Sequence, residues 1–181
     1  MLSLYDASIP TMIAYIGSLK EILHKAEEFS QERGTSPDSW LAARLHVTMF
    51  PLVFQVQMVT NSAKLLAKRV GGVETEYQED NEKTMAELLA RLDKTIAILE
   101  AVKKDWMDGD HARPIHVRTP LTSFTLSAQE YTLQYGVPNF FFHLVTTYNI
   151  LRAQGVQVGK MDYACFETDP SGRLPEGQMH D

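Results

Sequence analysis

Within Pro138 to Lys160, PNFFFHLVTTYNILRAQGVQVGK, one imidazole, His143, interrupts an apolar and aromatic helical pattern that Gly155 then stops. A neutral imidazole exchanges a proton near pH 7, which suits it to acid–base work at a substrate carbon or oxygen. Phe140, Thr147 and Ile150 fall one or two turns away on the same stripe, so the ring points into the interior or into a pocket. Tyr148 and Arg152 add polar groups on nearby faces and are candidates to polarise a substrate oxygen while His143 moves the proton. The reaction such a set would support is a metal-independent isomerisation, epimerisation or elimination. The structural alternative is a core histidine that is simply hydrogen-bonded.

A second histidine, His46 in ARLHVTMFPL, precedes another helical pattern, and with Phe50, Arg91 and Thr147 it completes the candidate ligand-binding set. If His46 and His143 converge, the pair is the start of a metal site between helices, with zinc or nickel as the divalent ion. A catalytic zinc needs three protein ligands, and helical His pairs usually stand at i and i+4. Four residues beyond His143 is Thr147, and four beyond His46 is Phe50. Asp80, Glu130 or Gln57 would have to supply the missing ligand through the fold. His111 and His116, either side of Pro114, are expected at the surface, as are His24 and His180. Arg44, Arg91 and Arg152 stand beside apolar positions, where a guanidinium stem ordinarily snorkels to water. The alternative for Arg91 or Arg152 is a ligand oxygen or a carboxylate such as Asp80. No GxSxG elbow, Walker loop or HExxH occurs, and the single cysteine, Cys165, has no activating base near it in the sequence.

These side chains must be positioned by helices. Ile9, Met12, Ile13, Ile16, Leu19, Leu23, Ala26 and Phe29 step by threes and fours and predict a helix ending near Gly34. Phe50, Val53, Val56, Val59, Ala63, Leu66 and Val70 predict a second, with Pro51 in its first turn and Gly71-Gly72 as its stop. Met85, Leu88, Leu89, Leu92, Ile96, Leu99 and Val102 carry a third, started by a Thr84/Glu87 capping box or earlier at Asp80 or Asn81, and ending between Trp106 and Gly109. Alternation at Ile115/Val117 and Phe124/Leu126 then predicts a short β-hairpin or an extended loop. Ser127 and Glu130 form another capping box, and Gly136-Val137-Pro138 should bend the helix that follows. The expected fold is all-α, an antiparallel four-helix bundle with that hairpin or loop between helices 3 and 4. Residues 1–165 form the expected single domain, and 166–181 a loosely ordered tail.

Composition narrows the function classes. The chain has 181 residues, of which 44% are hydrophobic, and a net charge of -6, which suits one folded unit and offers no basic surface for a nucleic acid. No apolar run reaches the roughly 18 residues of a membrane span, and MLSLYDASIP has no signal-peptide pattern. One cysteine excludes an intrachain disulfide, so a cytoplasmic setting, with no nucleic-acid or membrane partner, is expected.

ARLHVTMFPLVFQVQ (Ala43 to Gln57), ELLARLDKTI (Glu87 to Ile96) and PNFFFHLVTTYNILRAQGVQVGKMD (Pro138 to Asp162) together resemble an uncharacterised family of bacterial and fungal proteins in the DinB/YfiT-like superfamily. The resemblance runs from about Tyr5 to Tyr163. It implies a four-helix bundle, often a homodimer, with a cavity at one end where superfamily members commonly hold a divalent metal through three histidines. His46 resembles the second-helix histidine and His143 the first histidine of the last long helix. The third is expected four residues later, where this chain has Thr147, so the implied metal set is incomplete. Three functions follow as expectations: a small-molecule-binding protein using His143 in acid–base chemistry, a metal-dependent enzyme using His46 and His143, and a non-catalytic dimeric binding protein.

Overall fold

The computed structural model describes residues 2–119 and 122–164, which leaves the tail, Cys165 and His180 outside the described residues. Among the described residues, seven α-helices and one two-stranded sheet make up a mostly helical fold. The long helices are α1 (Ile9–Glu32), α2 (Leu52–Arg69), α3 (Met85–Glu100) and α6 (Val137–Ala153). The shorter ones are α4 (Lys104–Met107), α5 (Ala128–Glu130) and α7 (Lys160–Tyr163). A 3₁₀ segment, Pro37–Ala42, precedes α2, and a π-helical stretch, Tyr131–Gly136, leads into α6.

The apolar stripes face one another as their spacing requires. Met12, Ile16, Leu19, Leu23 and Ala26 of α1 are fully buried, with Val56, Val59, Ala63 and Leu66 of α2, Leu88, Leu92 and Leu99 of α3, and Phe140, Leu144 and Ile150 of α6. Each long aliphatic side chain so removed from water contributes about 1.5–3 kcal/mol. α2 packs against both α3 and α6, and α1 against α3 and α6. Two hydrogen bonds fix the sense of the α2–α6 pair: Asn139 Nδ2 donates to Ser62 Oγ at 2.7 Å, and one turn on, His143 meets Gln55. Position rises along α6 as it falls along α2, so the two run antiparallel.

Local chemistry sets the ends. Thr84 and Ser127 each make a complete capping box, with Glu87 and Glu130 respectively. The start left open at Asp80 or Asn81 is thereby resolved in favour of Thr84. The third helix stops earlier than its apolar pattern predicts: Val102 bonds its N–H to Leu99 O at 3.1 Å and turns inward to rest against Gly71, and α4 forms separately beyond it. Pro138 has no N–H to give the preceding turn. The chain absorbs this in the wide π-helical turns before α6, where Val137 N–H reaches Thr132 O. The predicted hairpin is present, with β1 (Pro114–Arg118) antiparallel to β2 (Ser123–Ser127) and Ile115 opposite Leu126. Asp108 anchors the N-terminal segment, accepting from Ser3 Oγ at 2.6 Å and from the N–H groups of Leu4 and Tyr5. No helix among the described residues is long and apolar enough to cross a membrane.

Candidate functional site

Gln55 and His143 meet across the α2–α6 seam, with Nδ1 of the imidazole 2.8 Å from Oε1 of the amide. The orientation of the amide is set by its other end, because Gln55 Nε2 donates to the Phe50 carbonyl at 3.0 Å. With Oε1 as acceptor, Nδ1 must carry the proton, so in the neutral ring the Nε2 lone pair is free. No hydrogen bond to Nε2 exists among the described residues. Gln55 is buried and His143 half-buried, and burial pushes the imidazole below its ordinary value of 6.5. A neutral, oriented ring with an open Nε2 is therefore the resting state at pH 7.

Aromatic edges frame that ring. Phe54 lies 6.1 Å away at 74°, Phe142 lies 5.2 Å away at 86°, and Phe50 stacks on Phe54 at 4.1 Å. Phe50 and Phe142 are 61% and 60% exposed, so the imidazole lies between large apolar groups that water still reaches.

The other expected site residues are dispersed. Tyr148 is five residues past His143, about 140° around the helix, and its ring meets Tyr163 of α7 instead. Arg152 is about 13 Å further along the axis, exposed, with Nη1 on the Val156 carbonyl at 3.5 Å. The structure brings neither to His143. Thr147 is buried, and its hydroxyl donates to the His143 carbonyl at 3.0 Å, turned into the helix rather than toward a ligand.

His46 is exposed, with Nδ1 against Thr48 Oγ1 at 2.9 Å, and no hydrogen bond or ring contact joins it to His143 among the described residues. The oxygen ligands that a shared metal would need are also engaged. Asp80 is paired with Arg91, Glu130 caps α5, and Gln57 donates to Glu82 at 2.8 Å. No group of three His, Cys, Asp or Glu side chains is assembled among the described residues. These residues do not fit a three-ligand divalent metal centre.

Arg91 is the most constrained polar side chain near the site. Its guanidinium is fully buried, and each of its five N–H groups has an acceptor. Nε donates to Thr60 Oγ1 at 2.6 Å, Nη1 to Glu79 O and Glu82 Oε1, and Nη2 to Asn61 Oδ1 and Asp80 Oδ1. A guanidinium with no donor left has nothing to offer a ligand. The guanidinium does not snorkel to water or face a ligand; pairing with a carboxylate such as Asp80 is the role seen. Burial tends to raise the Glu82 carboxyl, but hydrogen bonds from Arg91 and Gln57 hold it below the usual range. The knot pins the irregular segment 73–84 onto α2 and α3. The expectation that His111 is exposed is corrected too. Its side chain is only 12% exposed, with Nε2 3.8 Å from Asp108. His116 is exposed as expected and bonds Thr125 across the hairpin at 2.9 Å.

Sequence reasoning passed over Gln55 and Lys64. Both signals were present: Gln55 and Lys64 stand one residue from the buried Val56 and Ala63, on the inward half of α2. Lys64 is only 7% exposed.

The model of a domain of unknown function, DUF1993, matches residues 4–164. The chain belongs to the DUF1993 family. A solved structure, described as a DinB family member protein from Shewanella denitrificans, is 32% identical, with a TM-score of 0.81 over 88% of this chain and 90% of that one. A comparison with curated proteins finds no match. The resemblance read from the MFPL and PNFFFH stretches is thus correct, and this DUF1993 chain is DinB-like.

Proposed function

We propose that this DUF1993 protein binds a small molecule against His143 and uses the free Nε2 of that ring to accept a proton from it. The observation that carries this reading is the Gln55–His143 bond, which commits Nδ1 and leaves one basic nitrogen oriented and neutral. Phe50, Phe54 and Phe142 supply an apolar frame for the ligand body, and among the described residues no second acid or base makes a contact with the ring. The chemistry of a single base is proton removal from a carbon acid, with return from solvent or from the same ring, which fits isomerisation, epimerisation or elimination without a metal. In this reading α1, α3, α2 and α6 form an antiparallel four-helix bundle, residues 1–165 act as one unit, and the protein works in the cytoplasm.

The test is a thermal-shift screen of a metabolite library against the wild type and His143→Gln. True ligands raise the melting temperature of the wild type in proportion to RT ln(1 + [L]/Kd) and leave the variant unmoved. Their acidic C–H should exchange in D2O only with the wild type. Equal stabilisation of both proteins by every hit overturns the reading.

The exposure of Phe50 and Phe142 supports a second reading, a homodimer in which a second copy covers this face and His143 serves packing. Sedimentation of the wild type and Phe142→Glu decides it: a dimer that the glutamate converts to monomer supports the interface, and a monomeric wild type rejects it.

A further inference from the structure

The segment 73–84 does not lie flat on α2. Between them is a cleft of about 430 Å³, walled by Met58, Leu65 and Tyr77 on its apolar sides and by Asn61 and Asp80 on its polar one, with Lys64 reaching into it. This cleft is separate from the His143 frame. The two lie on different faces of α2, and nothing in the proposal for His143 depends on it.

Lys64 is an unusual floor for such a space. A lysine is rarely withdrawn from water without a carboxylate partner, yet this one is only 7% exposed and its sole hydrogen bond among the described residues goes to a neutral acceptor, Gln78 Oε1, at 3.0 Å. Two nearby carboxylates are already taken, Asp80 by Arg91 and Asn61 and Glu82 by Arg91 and Gln57, and the third, the exposed Glu76 of the cleft wall, makes no hydrogen bond to the ammonium among the described residues. Tyr77 is 91% exposed at the mouth, an aromatic face with nothing packed over it.

We infer that the cleft is a carbonyl-binding site in which Lys64 forms a reversible imine with a small aldehyde or ketone bearing an apolar or aromatic body. The geometry supplies a desolvated amine at the floor, an apolar wall for the body of the ligand, and Tyr77 to stack on it. Burial, followed by the positive charge of Arg91, brings the Lys64 ammonium down to about 8, against the opposing pull of Asp80 and Glu82. At pH 7.5 the uncharged fraction is then roughly two hundred times that of an ordinary lysine. Desolvation beside another cation is a recognised way to make a lysine nucleophilic near neutrality.

In the reaction, the Lys64 lone pair attacks the carbonyl carbon and the C=O π pair moves to oxygen. That oxygen takes the proton shed by nitrogen, giving a carbinolamine. One further proton from solvent lets the oxygen leave as water, and the nitrogen lone pair closes the C=N bond of the iminium. Hydrolysis reverses each step, so no oxidant or reductant is needed.

The test treats the intact protein at pH 7.5 with benzaldehyde and sodium cyanoborohydride, which reduces the iminium to a stable secondary amine, and maps modified lysines by peptide mass spectrometry. Lys103, exposed and outside the cleft, is the internal reference. The expected result is labelling of Lys64 at least tenfold faster than Lys103, abolished at that site in Lys64→Arg, with Lys103 labelling unchanged. Labelling of Lys64 no faster than Lys103 overturns the proposal. The ratio is read within the wild type, so it stands even where Lys64→Arg fails to fold. Tyr77→Ala should slow Lys64 labelling several-fold for benzaldehyde and leave formaldehyde labelling unaltered; equal slowing for both rejects the stacking role.

Discussion

Nδ1 of His143 and Oε1 of Gln55 lie 2.8 Å apart although 88 residues separate them in the chain. The bond determines which imidazole nitrogen is protonated, because the amide cannot turn without losing the Phe50 carbonyl. In the wild type, ¹⁵N-detected NMR of the ring should therefore report a neutral tautomer protonated at Nδ1 near pH 7. Gln55→Leu should shift the population toward the Nε2–H tautomer and cost about 1–3 kcal/mol for the unpartnered polar group. An unchanged tautomer in Gln55→Leu would show that the amide does not control the ring.

The same ring predicts a pH dependence. Burial sets the His143 value in the folded protein below the ordinary 6.5. As pH falls, the unfolded chain takes up this proton first, so the contribution of the neutral ring to stability is complete above 6.5 and is lost as pH drops through the folded value. Acid melts of the wild type should thus decline more steeply below pH 6.5 than those of His143→Gln, after the shared carboxylate effects cancel. Parallel curves would mean that the ring titrates as it does in water.

Why some of this was legible in the sequence and some not follows from the range of each interaction. Helical stripes, both capping boxes and the Ile115/Phe124 hairpin depend on neighbours within a few residues, and the structure has them close to where the periodicities put them. The family resemblance rested on the same short stretches and is correct. Site composition was harder. Nearness in sequence groups Tyr148 and Arg152 with His143, but helical rotation turns them onto other faces. Gln55 and Lys64 give no such sign, because a polar residue within an apolar stripe shows its purpose only once its partner is placed. Arg91 stands beside an apolar stripe, which by itself predicts a stem that snorkels to water; only the fold reveals that the segment 73–84 supplies the acceptors that keep it buried.

Arg91 should matter for stability out of proportion to its single charge. Arg91→Leu strands the buried Glu82 and leaves Thr60, Asn61 and the Glu79 carbonyl without their donor. Breaking a buried pair in this way costs about 3–5 kcal/mol. Arg91→Lys should recover only part of the loss, since an ammonium offers three donors and no planar fork. Urea unfolding of both variants, with Glu82→Gln as the milder partner change, checks the order: Leu worst, Lys intermediate, Glu82→Gln least. An Arg91→Leu protein within 1 kcal/mol of the wild type would contradict the buried-pair estimate.

Gly72 and Trp106 give the sharpest steric prediction. Gly72 has φ +67, where an L side chain costs about 1–2 kcal/mol. A Cβ there would also come within 2.0 Å of the indole Nε1, too close for both to stay. Trp106 is 60% exposed and stands 5.9 Å from the Arg113 guanidinium, so it yields by swinging outward and giving up that cation–π contact. Gly72→Ala should accordingly destabilise the protein by the backbone term plus a smaller packing term, and raise the accessibility of Trp106 to a fluorescence quencher. In a Trp106→Ala background the packing term disappears and only the backbone term of about 1–2 kcal/mol is left. A double-mutant cycle isolates the difference. Coupling of zero between the two sites would mean that the indole does not occupy the space against Gly72.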